Sequence, residues 1–78
     1  MRDDVVDMVE ILESLLEDSP HKVKVELKTT IDMLKKANSS EDLINVQEQL
    51  EYVANINNID AFISTEVYNA ISILETLM

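Results

Sequence analysis

A chain of 78 residues with no cysteine, no glycine, one proline and a net charge of −10 is short enough to be one domain with a thin stability margin. It excludes disulfides and thiolate metal sites, and it argues against an all-β fold, whose hairpins need positive-φ turns that glycine usually supplies. The hydrophobic share of 46% is enough for a core, while the acidity disfavours direct nucleic-acid binding and docking on anionic membranes.

Residues 3–18 read as a first helix. Val5, Met8, Val9, Leu12, Leu15 and Leu16 recur at helical spacing on one face, and Asp7, Glu10, Glu13 and Glu17 occupy the other. Asp3 and Asp4 stand at its start, where carboxylates meet the positive end of the helix dipole. The stretch Met1-Arg2-Asp3-Asp4 lacks the basic-then-apolar layout of a signal peptide, and a cytoplasmic location is expected. Ser19-Pro20 breaks the pattern, with Ser19 expected to cap a second helix and Pro20 to open it.

The second helix is expected over 20–37, with Val23, Leu27, Thr30, Ile31, Leu34 and Ala37 facing inward and Lys24, Lys28 and Lys35 along one flank. Asn38-Ser39-Ser40 is the next break. Ser39 followed by Asp42 has the form of a capping box with a shortened acid. A third helix over 40–57 buries Leu43, Val46, Leu50, Val53, Ala54 and Asn57. After a turn at Asn57-Asn58-Ile59-Asp60, a fourth helix over 61–77 turns Ile63, Val67, Ala70, Ile71, Leu74 and Leu77 inward, with Asp60 as its cap. Short connections between helices of this length imply an all-α antiparallel four-helix bundle.

The chain also repeats itself. Val23, Leu27, Ile31 and Leu34 have the spacing of Ile63, Val67, Ile71 and Leu74, and Leu12-Glu13 with Leu15 matches Leu50-Glu51 with Val53. The bundle is therefore expected to consist of two similar helical hairpins, either stacked like solenoid repeats or closed into a square.

Leu50-Glu51, Asn55, Asn58, Thr65, Val67-Tyr68-Asn69, Ser72 and Leu74-Glu75 resemble the final hairpin of an uncharacterised archaeal family of short helical-bundle proteins. Ile11-Leu12-Glu13, Glu17-Asp18, Pro20 and Val23 are similar in outline to its first hairpin. Ile59-Asp60-Ala61-Phe62-Ile63-Ser64-Thr65 departs from that family's proline-rich turn and His-x-Arg-Thr stretch, keeping only Thr65, and Tyr68 stands where the family has tryptophan. The resemblance implies a pair of helical hairpins in a divergent member, and it implies no activity.

No catalytic residue, metal ligand, cofactor or small-molecule substrate is expected. The single histidine, His21, lies in the first turn of the second helix, and the paired Glu-x-x-His pattern of carboxylate-bridged metal sites is missing. Val6, Val25, Met33, Ile44, Ile56, Phe62 and Ile73 fall off the inner stripes, and Tyr52 and Tyr68 point nearly opposite them. Such a surplus suits a surface covered by another protein or by a second copy, with Phe62, Tyr68 and Tyr52 as expected contacts. Glu10, Glu13, Glu17, Glu48, Glu51 and Glu66 form an expected acidic surface; five of the six basic residues lie in the second helix. The expected function is a non-enzymatic protein-interaction module, with a homodimer as one form. The alternative is an acidic nucleic-acid mimic or inhibitor that docks on a basic protein.

Overall fold

A computed structural model describes residues 3–77; Met1, Arg2 and Met78 lie outside the described residues, and with them the first two positions of the acidic N-terminal stretch. Four helices follow one another, α1 (Asp3–Leu15), α2 (His21–Lys36), α3 (Ser40–Ala54) and α4 (Ala61–Leu77). Each packs on its two sequence or ring neighbours, α1 on α2, α2 on α3, α3 on α4 and α4 back on α1. Among the described residues the backbones of the two diagonal pairs, α1 with α3 and α2 with α4, stay apart. The two hairpins therefore close into a square antiparallel bundle; they do not stack as an open solenoid.

The core is aliphatic throughout. Met8, Leu12 and Leu15 from α1, Leu27 and Leu34 from α2, Val46, Leu50 and Val53 from α3, and Ile63, Val67 and Leu74 from α4 are all essentially removed from solvent. Their 3-4 spacing along each helix puts one apolar stripe on the bundle axis. Thr30 is also fully buried, and its hydroxyl donates to the Glu26 carbonyl one turn back at 2.9 Å, so it brings no unpaired polar atom into the core.

The second helices of the two hairpins are equivalent in burial as well as in outline. Every position from 21 to 37 has the same degree of burial as its counterpart from 61 to 77, all seventeen of them in register. Burial here follows the backbone slot and not the residue. Thr30 and Ala70, or Leu27 and Val67, fill equivalent slots with different side chains. The ring of contacts obeys the same relation, because exchanging α1 with α3 and α2 with α4 maps each packed pair onto another packed pair.

The helix ends depart from the sequence pattern in informative ways. The first helix ends at Leu15, where residues 16–18 were expected to continue it, and the third ends at Ala54 where the pattern ran to 57. In both places the apolar periodicity persists into the turn: Leu16 and Ile56 still pack against the core, so hydrophobic spacing alone overshoots the last hydrogen-bonded turn. Asn57, expected inside, is exposed. Asn58 next to it takes φ = 64°, the left-handed conformation that asparagine tolerates better than most residues.

Ser19 does not cap α2. Its buried hydroxyl donates to the Leu15 carbonyl at 2.6 Å, which at the end of α1 also accepts from the Asp18 amide at 3.3 Å, and Pro20 takes the N-cap position with extended backbone and no side-chain bond. At α3 the capping residues perform closer to expectation. Ser39 Oγ accepts from the Asp42 amide at 3.2 Å, and the shortened acid reaches back to the Asn38 amide at 3.1 Å. Asp60 Oδ1 accepts from the Phe62 amide at 2.8 Å, capping α4.

Ser39→Ala is expected to cost about 1 kcal/mol, the usual loss for a hydroxyl cap. Urea denaturation of the two proteins measures it. A loss under about 0.3 kcal/mol would show that Asp42 alone holds this turn.

Candidate functional site

The outward surface is sorted by charge, helix by helix. On α1 the exposed positions include Asp3, Asp4, Asp7, Glu10 and Glu13, and Glu17 and Asp18 follow in the turn. On α3 they include Glu41, Glu48 and Glu51. Of the residues expected to form an acidic surface, Glu10, Glu13, Glu17, Glu48 and Glu51 are exposed, and Glu66 is half-buried on the flank of α4. The exposed five lie along α1 and α3, whose backbones stay apart, so they form two separate ribbons.

The α2 surface is basic. Lys22, Lys28, Lys35 and Lys36 are exposed, with Val25 among them. Lys36 Nζ lies 3.0 Å from Asp32 Oδ2 one turn back, and Lys35 Nζ lies 4.0 Å from Glu13 Oε2 across the hairpin. All four side chains are half-exposed or more, so each pair is worth only about 0–1 kcal/mol and tunes the surface without holding the fold.

The outward face of α4 differs from the other three. Ala61, Phe62, Thr65, Tyr68, Asn69, Ser72 and Thr76 are exposed, and Glu75, near the C-terminal end, is the one exposed charge among the described residues of the helix. The equivalence with α2 makes the contrast specific. Lys22 corresponds to Phe62, Lys28 to Tyr68, Asp32 to Ser72 and Lys36 to Thr76, in slots of matching burial. Two faces that the fold treats identically have been given charge in one case and aromatic and small neutral side chains in the other.

Phe62, Tyr52 and Tyr68 are 60%, 51% and 47% exposed, as their off-stripe positions imply. The structure does not bring all three together. Ser64 Oγ reaches the Ala54 carbonyl on α3, so Tyr68, one turn further on, occupies the α3-facing flank of α4, while Phe62 lies on the opposite flank. Gln49 Nε2 reaches Glu26 Oε1 on α2 at 2.9 Å, and Tyr52, three residues on, shares that flank of α3, turned away from α4. Phe62 and Tyr68 thus bracket one face, and Tyr52 belongs to another.

Of the other off-stripe residues, Val6, Val25 and Ile44 are exposed. Met33, Ile56 and Ile73 pack partly against the core and are not free surface. Helical spacing marked them as marginal; only the positions of the neighbouring helices decide which margin is covered.

An open groove of about 850 Å³ lies at the bundle end that holds the α2–α3 connection. Val5, Leu34, Ala37, Leu43 and Leu77 line it, with Lys35, Asn38, Ser39 and Ser40 at its edge. The hydroxyl of Ser39 is engaged in capping α3. His21 is exposed at the start of α2. Among the described residues no group of three or more His, Asp or Glu side chains is arranged to hold a metal ion, and no helix is long and apolar enough to cross a membrane. Comparison with protein-family models, curated proteins and solved structures gives no match to this chain.

Proposed function

We propose that this protein is a non-enzymatic protein-interaction module of the cytoplasm that engages its partner through the outward face of α4. The observation that supports the reading is the outward face of α4 from Ala61 to Ser72, bracketed by Phe62 and Tyr68, which carries no fully exposed charge and only the half-buried Glu66, in a chain of net charge −10. Interface centres are depleted of charge and enriched in aromatic residues, and solvated faces normally are not. The matching face of α2 shows that the fold itself imposes no such composition. The archaeal helical-bundle resemblance fits this reading by implying the hairpin pair without an activity.

The test exploits the same equivalence. Phe62→Lys and Tyr68→Lys install the residues found at Lys22 and Lys28, so both variants are expected to keep the helical circular-dichroism spectrum. The double variant is expected to lose partner capture by tenfold or more, on the order of one strong aromatic contact. Capture that is unchanged by both substitutions would remove α4 as the interaction face.

The acidic ribbons on α1 and α3 support a second reading, an acidic mimic that occupies the nucleic-acid groove of a basic protein. It predicts capture that weakens steeply between low and high salt, is competed by DNA or RNA, and is lost on neutralising Glu10, Glu13 and Glu17 and retained in the α4 variants.

A further inference from the structure

We infer that the crease between α3 and α4, on the outside of the second hairpin, docks a basic amphipathic segment of another protein. That segment brings lysine or arginine side chains to Glu48, Glu51 and Glu75 and rests apolar ones on Ile44 and Tyr68. The inference rests on the α4 reading above and adds the chemistry of the partner.

The first hairpin shows what the fold sets beside these acids. α1 and α3 correspond with an offset of 38 residues, from Leu12 to Leu50, and their burial agrees at eleven of the thirteen positions from 3 to 15. Glu10 and Glu13 therefore correspond to Glu48 and Glu51, while Lys24, Lys28 and Lys35 on α2 correspond to Ser64, Tyr68 and Glu75 on α4. In the first hairpin Lys35 Nζ lies 4.0 Å from Glu13 Oε2. The same two slots of the second hairpin hold Glu75 and Glu51, two carboxylates where the fold elsewhere sets an ion pair. No lysine or arginine follows Lys36 in the sequence, so the second hairpin has no cation of its own to place there.

Side-chain bonds fix which flanks meet. Gln49 faces α2 through Glu26, so Ile44 and Glu51, on the far side of α3 by helical spacing, face α4, with Glu48 beside them toward solvent. Ser64 faces α3 through Ala54, and Tyr68 and Glu75 follow on the same flank of α4. Ile44 and Tyr68 are 48% and 47% exposed, and Glu48, Glu51 and Glu75 are exposed around them. Phe62 and Glu66 belong to the other flank of α4, outside the crease. Charge complementarity then selects the occupant: an acidic segment or a second α3–α4 crease adds to the repulsion between Glu51 and Glu75, and a cation placed between them relieves it. The two exposed apolar side chains favour cations carried on an apolar frame, which covers Ile44 and Tyr68 where a hydrated polycation leaves them wet. A strip about three helical turns long is small against a standard interface, so micromolar, reversible binding is expected.

The probe is a synthetic amphipathic helical peptide with a leucine face and a lysine face, followed by the fluorescence anisotropy of a dye at its end as the full chain is added. Glu51→Gln with Glu75→Gln is expected to weaken its binding about tenfold or more, and Tyr68→Lys to do the same. Glu10→Gln with Glu17→Gln removes the same charge from the first hairpin and is expected to change binding by about twofold at most. Equal losses from the two pairs would reduce the binding to the net charge of the chain and overturn the crease. A peptide of lysine and serine with the same charge is expected to bind about tenfold more weakly; equal binding would overturn the apolar frame. Glu75→Lys installs the residue of the equivalent Lys35 slot, so it is expected to raise the thermal midpoint of the free protein and to abolish peptide binding. A lowered midpoint, or peptide binding that persists, would sink the argument from the first hairpin. A midpoint raised by millimolar calcium in a way that Glu75→Gln removes would give the carboxylates to a metal ion instead. If the peptide fails these tests while Phe62→Lys, on the other flank, abolishes capture of a partner, the crease is rejected and the α4 reading stands. If that capture too is indifferent to Phe62→Lys and Tyr68→Lys, both readings fall.

Discussion

Leu50→Ala is expected to remove about 2–5 kcal/mol of stability, the span seen when a buried leucine leaves a cavity that its neighbours only partly fill. Leu50 is fully buried on α3, at the middle of that helix's inward stripe, and α3 packs on both α2 and α4. A leucine there contributes to two helix interfaces at once, and the upper half of the range is therefore expected. A domain of this length holds in total roughly 4–12 kcal/mol, at the usual stability per residue. The variant should therefore show a large drop in urea midpoint, with a substantial unfolded fraction at 37 °C. A loss below about 1 kcal/mol would mean that the core collapses around the vacancy, which the close packing of folded interiors argues against.

Ala70→Leu is expected to cost about 1–3 kcal/mol for the opposite reason. Ala70 is fully buried on α4, and its slot corresponds to Thr30 on α2, so the backbone there accepts a side chain of threonine size. Leucine exceeds that, and it can be housed only by pushing α4 outward or forcing strained rotamers. Ala70→Thr should cost distinctly less, because the hydroxyl can bond back to the carbonyl of Glu66 as that of Thr30 does to Glu26. Equal losses for the two substitutions would show that the two hairpins are not equivalent at this slot.

The helices and their inward faces were legible in the sequence because apolar residues recur at a period that only one backbone geometry can gather on one side. The stretch from Val23 to Leu34 and its counterpart from Ile63 to Leu74 also revealed the repeat. What spacing could not give was the fate of marginal positions. Leu16 and Ile56 keep the helical rhythm but lie past the last turn of their helices, since burial continues where backbone hydrogen bonding stops. Ser19 looked like the cap of the following helix, and it closes the preceding one, because a serine between two helices can bond in either direction.

The candidate surface was half legible. Phe62 and Tyr68 stood out as aromatics away from the inward stripe, but sequence alone grouped them with Tyr52 and counted Glu66 among the exposed acids. Separating them required knowing which flank of α3 faces α2 and which flank of α4 faces α3. Two side-chain bonds, Gln49 to Glu26 and Ser64 to Ala54, settle that. The scarcity of exposed charge on the α4 face was readable in principle from its residues. It acquired meaning only against α2, once the two helices proved to occupy equivalent slots.

The ring of contacts also has a kinetic consequence. Three of the four interfaces, α1 with α2, α2 with α3 and α3 with α4, join helices adjacent in the chain and need only short loops to close. The remaining one, α1 with α4, brings the two ends of the described chain together and carries most of the entropic cost of ordering a long loop. Helical bundles with mostly local interfaces of this kind fold in the microsecond-to-millisecond range. The pairing of α1 with α4 is then the event whose loosening would open the square first, leaving each hairpin closed at its own turn.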